Sequence, residues 1–232
     1  MATYHKPSSE SEKKVVFLKI LSLANSKAYI LFGVTMDKIY ECANNFNKIL
    51  ETKYVFTIVS NRTEKKIVLD FLKEDFRHAS GLHYIDDISM ENNPSKLVDS
   101  ILDGSLTDEM LEKSTKYTKP RREGGIIKER VSEFCYLEEY LDKSDLIRIY
   151  KIQDFGSSIE AEYFIEASNF NRHSTVYIFI RKRIESDNYV IVSFFKKSTV
   201  YRGANAYWML KEKITSGNHR ILYKNPNYNK SK

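Results

Sequence analysis

Apolar residues recur along this chain with two periods, and the change of period divides it. Over 35–52, Ile39, Cys42, Ala43, Phe46 and Leu50 fall at three- and four-residue intervals, predicting a helix that Thr35 could cap. The strongest stripe lies over 126–141, where Ile127, Val131, Phe134, Cys135, Leu137 and Leu141 share one face. Lys128, Glu129, Glu133, Glu138 and Asp142 lie outside it. Between these, Pro94 and Gly104 bracket a short helix over 95–104, and Thr107 followed by Asp108 and Glu109 has the form of a capped helix start. Positions 116–125 collect Lys, Arg, Pro and paired Gly into a loop.

The other period is two. Short β-favouring runs at 53–60 and 65–72, separated by Asn61-Arg62-Thr63-Glu64, predict a hairpin, and from 145 onward four more follow at 146–152, 161–167, 175–184 and 189–196. A last helix is expected over 201–214 around Trp208, and a short edge strand over 219–223. The expected fold class is α+β: helices followed by a four-stranded antiparallel sheet, with an N-terminal helix and hairpin annex. The expected organisation is a polar, disordered tail over 1–13, the annex over 14–64 and one main domain over 65–232.

Composition narrows the classes. The chain has 232 residues, 42% of them hydrophobic, enough for a sizeable core. Two cysteines, Cys42 and Cys135, without any CxxC pair, allow neither a disulfide framework nor a thiolate metal site, which points to a reducing cytoplasm. No apolar run reaches the roughly 20 residues of a spanning helix, and the run over 15–24, interrupted by Lys19, does not read as a signal peptide. Lys and Arg number 37 against 31 Asp and Glu, for a net charge of +6. The excess gathers in the C-terminal third, which favours a polyanionic partner as much as it favours mere solubility.

Two clusters could carry chemistry. Within Phe76-Arg77-His78-Ala79-Ser80-Gly81-Leu82-His83, two imidazoles, a guanidinium and a hydroxyl surround a glycine at which the chain can turn. A neutral imidazole can take a proton from a ribose hydroxyl near physiological pH, so His78 is a candidate general base or acid. The same spacing also suits a packed, inert histidine. The second cluster is Arg181-Lys182-Arg183 with Ser193, Lys196 and Lys197 on the following strand, interleaved with aromatics including Tyr201 beside Arg202. A cation and a hydroxyl on one sheet face could bind a phosphate, and the aromatics could stack unpaired bases. Lysine-rich strand ends that discourage edge pairing would look alike. Candidate nucleic-acid contacts are therefore Arg77, His83, Arg181, Arg183, Lys196, Lys197, Tyr201 and Arg202, and Lys182 and Lys196 are candidates to stabilise developing charge. Arg130, on the best helix, could reach a phosphate or pair with Glu129 or Glu133. No Gly-rich phosphate loop, nucleophile elbow, HExxH or paired-carboxylate motif occurs, and Asp86-Asp87 with Glu91 reads as a solvated acidic loop rather than a cation site. No metal or cofactor is expected.

The Phe-x-His-x-x-Gly-Leu element at Phe76 to Leu82, the long helix, and the strand ending Val192-Ser193-Phe194-Phe195 together resemble the phage-borne members of the barnase/EndoU/colicin/RelE-like nucleases, in particular their fourth subgroup, over about 65–214. The resemblance implies a helix-then-four-strand sheet, metal-independent cleavage of RNA such as single-stranded RNA or tRNA, and residence in a phage or mobile element of a bacterial host. It places His78 and Ser193 at matching motif positions, and Arg130 more loosely. A cognate inhibitor or a host protein is the further partner class it allows. The competing reading is a non-catalytic phage protein that binds nucleic acid or blocks a host defence protein.

Overall fold

The computed structural model describes residues 37–228 apart from 122–124, 145, 152–157, 170–172, 198–199 and 202, so Arg202 and the expected N-terminal tail lie outside the described residues. The chain opens with helix α1 (Lys38–Lys48) and the hairpin β1 (Lys53–Ser60) and β2 (Thr63–Leu69). Asp37 caps α1 by accepting from Tyr40 N at 3.2 Å. Asn61 and Arg62 take positive φ at the hairpin turn, which matches the twist of the two strands.

A helical middle follows: α2 (Asp75–Ala79), a 3-10 turn (Leu82–Tyr84), α3 (Pro94–Leu102), α4 (Asp108–Glu112), α5 (Thr115–Thr118), α6 (Ile127–Phe134) and α7 (Leu137–Asp142). Thr107 accepts from Met110 N as the sequence predicts, and Asn93 caps α3 ahead of Pro94. The single helix expected over 126–141 is two. Cys135 and Tyr136 form a turn between them, and the carbonyl of Cys135 accepts from Asn45 Nδ2 of α1 at 3.1 Å instead of continuing the helical ladder.

The remaining strands are β3 (Leu146–Tyr150), β4 (Tyr163–Asn169), β5 (Ser174–Lys182), β6 (Tyr189–Lys196), β7 (Gly203–Thr215) and β8 (Asn218–Lys224). Strands β3 to β6 do form the expected antiparallel meander, but the expectation of a four-stranded sheet is overturned. The order is β1-β2-β6-β5-β4-β3-β7-β8, and β1 also pairs with β7, so seven strands close on themselves into a mixed barrel with β8 appended outside. The hairpin is therefore no annex to the sheet but two of its strands. The helix expected over 201–214 is β7, hydrogen-bonded to β1 on one side and to β3 and then β8 on the other.

Ring closure is uneven. β1 and β7 pair from Lys53 to Val59, whereas β2 and β6 meet in parallel at the single pair Leu69↔Tyr189. α2 and α6 pack against β6. Alternation then buries both faces of the meander: Ile165, Ala167, Val176, Ile178, Ile180 and Phe194 join the main core with the helices, while Tyr150, Phe164, Tyr177, Phe179 and Phe195 form a separate aromatic cluster. Both cysteines are buried and free.

Candidate active site

Two residues past the end of helix α2, Gly81, with a φ of 86°, turns the chain back so that His83 returns beside His78. The two rings stack with centroids 4.0 Å apart and planes 19° from parallel, and Tyr84 lies against His83 at 3.7 Å with its plane tilted by 41°. The turn is clamped from behind by Arg130 of α6, only 3% exposed. Its Nε donates to Ala79 O at 3.0 Å, and its Nη2 donates to Ala79 O at 2.8 Å and His78 O at 3.1 Å. A Cβ on residue 81 would lie 2.9 Å from Arg130 Cδ, so glycine is required for room as well as for φ.

The second wall comes from β5 and β6. Their register shifts between Phe179 and Ile180, leaving Val192 as the extra residue of a bulge and Ser193 opposite Phe179. Arg181, two residues along β5, shares the face of Phe179. His78, Tyr84, Glu160, Arg181 and Ser193 thereby line one cleft of about 240 Å³, completed by Ser158, Ile159 and Val192. His78, Arg181 and Val192 also border a wider cleft of about 600 Å³ that runs toward Asp70 and Arg183.

Partial desolvation in the cleft holds the His78 imidazole below its ordinary pKa, while the residue keeps an exposed face. Arg130 and then Arg181 add to the effect, and Asp75 opposes it. His83 is pushed further, to about 3, by burial first, then by His78 and Arg130. Both rings are neutral at physiological pH, the form in which an imidazole accepts a proton. Arg130 itself is lowered to about 10 by its burial, and it donates to backbone carbonyls.

The candidates of the sequence divide accordingly. His78, Ser193 and Arg181 are brought together, with His83 behind His78. Arg130 reaches the His78 loop through its backbone and does not line the cleft. Lys182 faces away and pairs with Asp187 at 2.6 Å. Arg183 is engaged by Asp70 at 2.8 Å and by Asp75. Arg77 donates to Asn92 O at 2.8 Å. Lys197 pairs with Glu166 at 2.8 Å, Lys196 is exposed opposite Val176, and Tyr201 packs on Tyr177 and Phe179 in the aromatic cluster. None of Lys182, Lys196, Lys197 and Tyr201 lines either cleft.

Tyr84 and Glu160 line the cleft without having been singled out. Tyr84 could have been found from its place directly after His83. Glu160 lies in a connecting segment whose pattern carries no signal, and its carboxylate meets Arg181 Nη1 at 3.2 Å. Asp86 pairs with Lys116, and Asp87 accepts from Thr115 N at 2.8 Å. Among the described residues no group of three or more His, Cys, Asp or Glu side chains is gathered as metal ligands would be, and no helix is long and apolar enough to cross a membrane.

Neither a curated protein nor a solved structure gives a significant match to the chain. A family model described as phage-Barnase-EndoU-ColicinE5/D-RelE like nuclease4 matches residues 38–231, a span that takes in α1 and the first hairpin as well as the His78 turn and the Ser193 strand. With most of its length inside that match, the chain belongs to this family of phage-type nucleases.

Proposed function

We propose that the protein is an endoribonuclease of a phage or mobile element that cleaves single-stranded RNA or tRNA in the bacterial cytoplasm without a metal. The observation that carries this reading is that His78 and Ser193, 115 positions apart (193 − 78), line one cleft together with Arg181.

In this reading the neutral His78 removes the proton of a ribose 2'-hydroxyl, whose oxygen attacks the adjacent phosphorus. The bond from phosphorus to the 5'-oxygen breaks, leaving a 2',3'-cyclic phosphate, and the departing oxygen takes a proton from solvent. Arg181 offsets the charge that grows on the non-bridging oxygens, and Ser193 donates to one of them. The exposed Lys182 and Lys196 contribute to the field that attracts the polyanion rather than to the reacting atoms.

The test is incubation of wild type and His78→Ala with bulk tRNA and with an unstructured RNA in excess EDTA, reading fragment ends. Cleavage to cyclic phosphate by wild type, reduced at least about 100-fold in His78→Ala, is the expected result. RNA binding without cleavage by either protein would replace this reading with that of a binding module.

A further inference from the structure

On the far side of Tyr84 lies another cleft, of about 460 Å³, bordered by Thr115, Lys116, Lys119 and Arg121. Tyr84 lines this cleft and the one holding His78, so the two spaces meet across a single ring. The Arg121 guanidinium sits over the Tyr84 ring, 3.3 Å from its centroid, and adds a planar cation to the row of His78, His83 and Tyr84 rings.

The cations here are not committed equally. Lys116 pairs with Asp86, whereas Lys119 and Arg121 have no carboxylate partner among the described residues. Arg121 Nε is shielded from solvent and has no acceptor. The wall carrying these groups is held in place: Ser114 caps α5, Tyr117 is buried, and Arg121 N donates to Gly125 O at 3.1 Å.

We infer that the Tyr84–Lys119–Arg121 groove is a subsite for the nucleotide that flanks the scissile phosphate of a single-stranded nucleic acid. A flat cation backed by an aromatic ring offers a stacking surface to an unpaired base, and an uncommitted lysine beside it offers a charge to the next phosphate. Two such groups adjoining the cleft would extend recognition beyond the dinucleotide being cut. The inference rests on the nuclease reading of the neighbouring cleft, and its test is chosen not to depend on cleavage.

Binding of 2'-O-methyl oligonucleotides, which cannot be cut, is measured by fluorescence anisotropy for wild type, Lys119→Ala/Arg121→Ala and Lys119→Glu. Wild type is expected to bind a tetranucleotide at least about tenfold more tightly than a dinucleotide, and the double variant to lose most of that gain while holding the dinucleotide as before. The slope of log K against log salt should fall in the double variant by about 0.7, the share of the one phosphate contact that Lys119 supplies. Lys119→Glu alters one exposed side chain and should weaken tetranucleotide binding in a chain whose melting temperature is unchanged. Equal tetranucleotide affinity and slope in wild type and both variants would overturn the subsite, as would an equal loss for both lengths. If wild type cut no RNA in EDTA yet showed this length dependence, the groove would stand as a contact for single-stranded nucleic acid and the catalytic reading would fall.

Discussion

His78 and His83 stack face to face at 4.0 Å, a contact that like-charge repulsion opposes when both imidazoles are protonated and that therefore favours the uncharged state. Partial desolvation and the neighbouring Arg130 and Arg181 keep His78 in that state, with its pKa below the ordinary value of 6.5. A base must be neutral to act, so activity should fall only when pH drops through that lowered value, and the acid limb of kcat/KM should lie below pH 6.5. Arg181→Gln removes one of the cations that disfavour the imidazolium. Its acid limb should move up in pH, in addition to its loss in rate, as a pH–rate profile of the two proteins would reveal. An acid limb that stays put in the variant would separate Arg181 from the electrostatics of His78.

His83 titrates near 3 in the folded chain and near 6.5 when unfolded. Between those values the unfolded chain binds a proton that the folded chain refuses. This contribution to stability is therefore greatest above pH 6.5 and shrinks as pH falls toward 3. His83→Phe keeps a ring against His78 and removes the titration. Urea midpoints at pH 7 and pH 4.5 should differ less for His83→Phe than for wild type, and an equal difference would contradict the assignment.

Arg130→Ala would leave the carbonyl of Ala79 without its donor, leave that of His78 with Gly81 N alone, and open a cavity under Gly81, at an expected cost of about 3 kcal/mol. Gly81→Ala approaches the same clamp from the other side, with a Cβ in left-handed backbone and within 2.9 Å of Arg130 Cδ, at an expected cost of about 2 kcal/mol. Denaturant melts give both values. A cost within 0.5 kcal/mol of zero for either would show that the turn does not depend on the clamp.

Arg183 joins the end of β5 to the start of α2 through Asp70 and Asp75, and Asn188 also reaches Asp70. Arg183→Ala would strand two largely buried carboxylates and should cost about 3 kcal/mol. Because this guanidinium is already occupied, the salt dependence of oligonucleotide binding should match that of wild type. A slope reduced by about 0.7 would instead make Arg183 a phosphate contact.

Strand β6 was legible to the residue because Tyr189 to Lys196 alternates β-branched and aromatic positions between clear turns. β7 was not, since its Lys211-Glu212-Lys213 reads as a solvated helical face. The three are buried because each finds a partner that only tertiary structure supplies: Ser144 O at 3.0 Å for Lys211, His219 at 2.9 Å for Glu212, and Glu138 at 2.6 Å for Lys213. The closed ring was hidden for the same reason, as no local pattern announces that β1 will pair with a strand about 150 residues later. In the site, the histidines stood out by rarity and Ser193 by its motif. The bulge that sets Ser193 opposite Phe179 is a property of two strands at once, and Glu160 was invisible because nothing about a lone carboxylate in a connection marks it.

The pairing of β1 with β7 also sets an order of events during synthesis. A chain released only as far as Lys196 already contains His78, Arg181 and Ser193, yet β1 and β3 both still lack the strand that lies between them. Those two open edges are covered only once β7 has been made. A nascent chain of this kind thus carries every residue of the cleft before it carries the strand that closes the frame around them, and competence must wait for that strand.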